Sequence, residues 1–97
     1  GSSGFSAFSS AKFALRAVAQ SMARELGPQG IHVAHFVIDG AIDTAFIKEM
    51  FPDTYALKEK DGILQPDSIA DAYWFVHTQH RSSWTHELDL RPYMEKF

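Results

Sequence analysis

A chain of 97 residues has room for one small domain or for a portion of a larger one. Apolar residues make up 45% and charged residues 22%, a globular composition that excludes wholesale disorder. Nine Lys and Arg against twelve Asp and Glu leave a net charge of −3 with no basic cluster, which denies a nucleic-acid binder its electrostatic footprint.

The chain has no cysteine. That removes disulfide frameworks, thiolate zinc sites and a cysteine nucleophile, and it fits a reducing compartment, so the expected location is cytoplasmic. Apolar runs are only a few residues long, and no membrane span is expected.

Gly1-Ser2-Ser3-Gly4 is either an expression scar or a native loop. Residues 5–26 read as a helix, because Phe8, Ala11, Leu15, Val18 and Met22 recur at alternating spacings of three and four and so share one face. Ala14, Ala17 and Ala23 keep neighbouring faces small, and Gly27-Pro28 ends the helix. Residues 31–38 read as a buried strand: Ile31, Val33 and Val37 on one side and Ala34, Phe36 and Ile38 on the other call for cover on both faces, as in a parallel sheet flanked by helices.

Asp39-Gly40 breaks the strand. Thr44 caps a short helix reaching Phe51, and residues 52–65 read as a surface loop with a charged patch at Lys58-Glu59-Lys60-Asp61. Pro66 and Asp67 start a further helix, over residues 66–79, with Ile69, Tyr73 and Val76 on one stripe. Residues 85–90 alternate, His86, Leu88 and Leu90 against Thr85, Glu87 and Asp89. This predicts an edge strand ended by Arg91-Pro92. The order is α/β with parallel crossovers: long helix, buried strand, helical insertion, helix, edge strand. Two strands do not make a self-sufficient sheet, so a neighbouring strand or a second subunit is expected beside residues 31–38.

Phe8-Ser9-Ser10-Ala11-Lys12 opening a long helix, then Glu25-Leu26-Gly27-Pro28-Gln29-Gly30-Ile31-His32-Val33, then Asp39-Gly40-Ala41-Ile42-Asp43-Thr44, resemble in order the second half of a short-chain dehydrogenase/reductase. The family pattern is Tyr-x-x-x-Lys, then a strand and Pro-Gly-x-Val/Ile-x-Thr, and the resemblance runs over roughly residues 5–90. It implies that residues 1–97 are a single partial domain, the C-terminal portion of a Rossmann-like doubly wound parallel sheet whose dinucleotide-binding half is not in this chain. It also implies NAD or NADP as the cofactor of the parent protein. No glycine-rich strand-to-helix turn is present to seat a pyrophosphate, so neither cofactor is expected to bind this chain alone.

The resemblance places the nicotinamide-ribose lysine at Lys12 and the carboxamide-facing loop at Gly40, Ile42 and Thr44, with Asp39 where the family has proline. Phe8 stands at the catalytic tyrosine, as in a Phe-x-x-x-Lys subgroup. A phenyl ring has no proton to exchange, so the usual general-acid route is closed. Each residue also has a simpler reading: Lys12 as a solvated helix lysine, Phe8 as part of the apolar stripe, Asp39 as a turn aspartate bonding its own backbone, and Thr44 as a helix N-cap.

His77, His80 and His86, even with Glu87, show no convergence of three ligands, and no metal site is expected. His32 and His35 fall on opposite strand faces and cannot chelate together. Ser9 and Ser10 lack an adjacent base and are poor substitutes for a phenol. Trp74, Trp84, Tyr73 and Tyr93 have no interleaved basic residues and suit packing or an interface.

The resemblance is compatible with two functions. One is a portion of an NAD(P)-linked oxidoreductase, not competent alone. The other is a non-catalytic association module. The family's subunit contacts imply a homo-oligomer, dimer or tetramer, through the helix over 5–26 and the last helix and strand.

Overall fold

The computed structural model describes residues 6–95, so Phe5 and the Gly1-Ser2-Ser3-Gly4 stretch lie outside the described residues. The long helix α1 spans Ser6–Leu26. It stops where glycine and proline say it should: Gly27–Gln29 tighten into a 3-10 turn, and Gly30 takes the left-handed conformation, φ 83°, with its N–H on the Gly27 carbonyl. Strand β1, His35–Ile38, pairs in parallel with β2, Glu87–Leu90, with His35 opposite Glu87 and Ile38 opposite Leu90. The intervening helices are α2, Ala45–Met50, α3, Pro52–Tyr55, and α4, Pro66–His77.

Both strands are shorter than the sequence predicts, for different reasons. Residues 31–34 lie outside the ladder because only β2 pairs with β1 among the described residues, and it does so over four positions. Thr85 is lost to β2 because its N–H donates to the Gln79 side-chain oxygen at 2.8 Å while Gln79 Nε2 donates to Thr85 Oγ1 at 2.8 Å. The expected burial of β1 on both faces is also corrected: all four of its residues are only half-buried. One face has a packed partner, where Phe36 stacks on Tyr73 of α4 at 3.8 Å between ring centroids. The opposite face meets α1 through charge, with Arg16 forking onto Glu87 (Nε–Oε2 2.8 Å, Nη2–Oε1 2.7 Å).

The predicted surface loop over 52–65 is a second correction. Pro52 and Asp53 open α3, a 3-10 segment Ala56–Lys60 comes next, and Asp61 closes it in the left-handed region at φ 57°. The ends of this insertion are fastened by a parallel bridge between Ile42 and Leu64, with Leu64 N–H on the Ala41 carbonyl and Asp43 N–H on the Leu64 carbonyl, each at 2.8 Å. Helix α4 ends two residues earlier than expected, where the Thr78 hydroxyl turns back to the Trp74 carbonyl at 2.9 Å.

The core is thin. Among the described residues the buried apolar side chains are Ala19, Ile63 and Val76, together with the Pro92 ring. Full burial of a Val or Ile is worth about 1.5–3 kcal/mol, while ordering each residue's backbone costs about 1–2 kcal/mol. The stripe on α1 forms as the spacing predicts but is largely uncovered, with Phe8, Leu15 and Val18 more than half exposed. Trp74 and Phe75 of α4 are exposed as well. No helix among the described residues is long and apolar enough to cross a membrane.

Two of these contacts can be tested by substitution. Gly40 has φ 144°, and a Cβ there would lie 2.8 Å from Pro92 Cδ. Gly40→Ala is expected to cost about 1–3 kcal/mol in chemical denaturation, and an unchanged midpoint would contradict the tight corner.

Partial desolvation pushes the Glu87 carboxyl up, but Arg16, with a smaller contribution from His35, pulls it down, and the net position is below the ordinary 4.5. A depressed carboxyl contributes stability that is complete above its unfolded value and is lost as pH falls through the lower folded value. Melting temperatures measured from neutral pH down through the carboxylate range should therefore fall more steeply for the wild type than for Glu87→Gln. Parallel curves would contradict the pairing.

Candidate functional site

An open groove of about 530 Å³ runs between the first turns of α1 and the C-terminal end of β1. Phe8, Lys12, Asp39, Gly40 and Ile42 line it, together with Arg16 and His35. Helical spacing puts Phe8, Lys12 and Arg16 on one side of α1, four residues apart. The last residue of β1 then delivers Asp39 and Gly40 to the same opening. This end of a parallel sheet is where α/β proteins bind ligands, because loops diverge there and leave a crevice.

Inside the groove, the Lys12 ammonium sits over the Phe8 ring, 5.4 Å from its centroid. The negative face of the ring attracts the cation and holds it beside the helix. Asp39 is not the self-bonding turn aspartate of the simpler reading, because its Oδ2 pairs with Arg91 Nη1 at 2.9 Å. Thr44 does not line the groove. Its hydroxyl caps α2, accepting the Ile47 N–H at 3.3 Å.

Several charged residues form pairs around the groove and the insertion that the sequence reading did not assign to them. Lys58 reaches back from the insertion to Asp43 at 2.9 Å, and that bond, with the nearby Tyr55 hydroxyl, raises its ammonium above the ordinary lysine value. His35 lies beneath the Arg16–Glu87 pair, with Nδ1 3.4 Å from Glu87 Oε2 but not aligned for a hydrogen bond. The signal for this cluster is the strand register, which sets His35 opposite Glu87 and is not written in either strand alone.

The remaining histidines are occupied separately. His32 stacks on Trp84 at 4.5 Å with Nε2 2.7 Å from the Thr85 carbonyl. His77 tilts against Trp74, and His80 Nδ1 accepts the Ser82 N–H. His86 Nδ1 lies 3.3 Å from the Val33 carbonyl. Among the described residues no group of three His, Asp or Glu side chains is arranged to hold a metal ion.

The groove is compatible with a nicotinamide-ribose group in its chemistry. It offers an ammonium donor at Lys12 and a backbone stretch at Gly40 that carries no side chain of its own.

No family model matches the chain, and no curated protein matches it. A solved structure does: a short-chain dehydrogenase from Rhodopseudomonas palustris, 46% identical, with a TM-score of 0.62 over 96% of this chain. The chain spans 32% of the length of that structure. Over that third, its mixed helices and small parallel sheet correspond to a fragment of a Rossmann-like fold, and in sequence and structure the chain is similar to a short-chain dehydrogenase.

Proposed function

We propose that this chain is part of an NAD(P)-linked oxidoreductase of the short-chain dehydrogenase/reductase type and contributes the groove for the nicotinamide end of the cofactor. The observation that carries the reading is the convergence of Phe8, Lys12, Asp39, Gly40 and Ile42, from two distant stretches of sequence, on one opening at the end of β1. When bound, the nicotinamide supplies hydride transfer to or from a carbonyl or alcohol. Lys12 would donate hydrogen bonds to the ribose hydroxyls, and the backbone at Ile42 would serve the carboxamide. Thr44, held in its capping role, fixes where the loop turns into α2 and so acts on the groove only through the backbone.

Phe8 belongs to a Phe-x-x-x-Lys variant of the site and neither gives nor takes a proton. Its ring keeps the Lys12 ammonium at the groove, which preserves cofactor binding without the usual general acid. The pyrophosphate seat belongs to the portion of such a fold that this chain does not include, so binding by the chain alone is weak.

The exposed apolar residues favour a second reading, an association module without catalysis. Leu15, Val18 and Met22 on α1 and Trp74 and Phe75 on α4 are all solvent-exposed. Such surface is uncommon on a monomer and suits a homo-oligomer.

Titration of NADH and NADPH separates the two readings. The 97-residue chain is expected to show no saturable binding at micromolar concentration. A longer protein that carries the glycine-rich segment is expected to bind, and to lose at least tenfold in affinity on Lys12→Ala. Micromolar binding by the short chain, or indifference of the longer protein to Lys12→Ala, would contradict the assignment.

A further inference from the structure

We infer that Arg91 and Pro92, the two residues after β2, are positioning residues that clamp Asp39 and Gly40 and so set the floor of the groove. The clamp has three parts. Arg91 Nη1 pairs with Asp39 Oδ2 at 2.9 Å, and the same guanidinium is oriented by Asp89, whose Oδ1 accepts from Arg91 Nε at 3.1 Å. The Asp39 N–H donates to the Leu90 carbonyl at 2.9 Å, which carries the ladder one bond past β1. The buried Pro92 ring fills the space where any side chain on residue 40 would stand, 2.8 Å from an added Cβ.

The clamp acts on the groove through the backbone. Asp39 and Gly40 lead directly into Ala41 and Ile42, which are fastened further along by the bonds to Leu64. It also answers an electrostatic question set by the sequence. An aspartate lining a groove for an anionic cofactor is unfavourable, and here its carboxylate is engaged by a guanidinium that also has Asp89 and Glu95 among its charged neighbours. Neither Arg91 nor Pro92 lines the groove, so each acts through Asp39 and Gly40. The functional meaning of the clamp rests on the proposed use of the groove for nicotinamide, which the titration tests separately. Amide exchange reads the corner with no ligand present, so the two can fail independently.

The test is residue-resolved hydrogen exchange on the chain, comparing wild type, Arg91→Gln, Asp39→Asn, the double variant and Asp89→Asn. Arg91→Gln and Asp39→Asn are each expected to speed exchange at the Asp39, Asp43 and Leu64 amides by about fivefold, through local opening. The double variant should go no further than either single one, since both remove the same pair. Asp89→Asn, which weakens the hold on the guanidinium but leaves its partner Asp39 in place, should speed those amides by less than Arg91→Gln does. The His35 amide, bonded to the His86 carbonyl at 2.7 Å, is the internal reference. Unchanged exchange at the corner in Arg91→Gln would overturn the inference. So would an equal rise at His35, which means general destabilisation, or additive effects in the double variant.

Discussion

Everything in this molecule depends on one short parallel ladder, four residues of β1 against four of β2. Parallel strands are stable when both faces are covered, and an isolated pair of strands is marginal in water. The ladder is held from one side by the Phe36–Tyr73 stack and from the other by the Arg16–Glu87 fork, which joins positions 71 residues apart. Apolar packing and a charge-assisted pair thus divide the work. The fork fixes α1 in register above β2, and it thereby decides which side of α1 looks into the groove.

The groove is a consequence of that placement. With Arg16 committed to Glu87, the residues one and two turns earlier, Lys12 and Phe8, overhang the end of β1. From the other side Asp39 and Gly40 arrive, secured by Arg91 and Pro92 just beyond β2. The site is therefore bounded by two ion pairs, Arg16–Glu87 and Arg91–Asp39, that touch different ends of the same strand.

Local signals in the sequence were sufficient for some of this. The Gly27-Pro28 stop, the Thr44 cap and the Pro66-Asp67 start each depend on neighbours within a turn, and each appears where residue chemistry sets it. The strand lengths were not legible in local pattern: residues 31–34 alternate as well as 35–38, but a ladder needs a partner, and Thr85 spends its N–H on Gln79. The helices in the insertion were obscured by the run Lys58-Glu59-Lys60-Asp61, which reads as loop until Lys58 is seen to reach Asp43. For the groove, the shared helix face of Phe8 and Lys12 was legible from their four-residue spacing. The partners that position the site, Glu87 and Arg91, lie across the sheet and become visible only with its register.

The same register leaves α1 and α4 with more apolar surface than the two strands cover. Light-scattering mass on freshly purified chain, taken together with intact mass, tests it most directly. An assembly of unmodified 10.9 kDa chains is the predicted result, because uncovered Leu15, Val18, Met22 and Trp74 find cover in further copies. A 10.9 kDa monomer that unfolds cooperatively would contradict it, since the chain would then complete its own core.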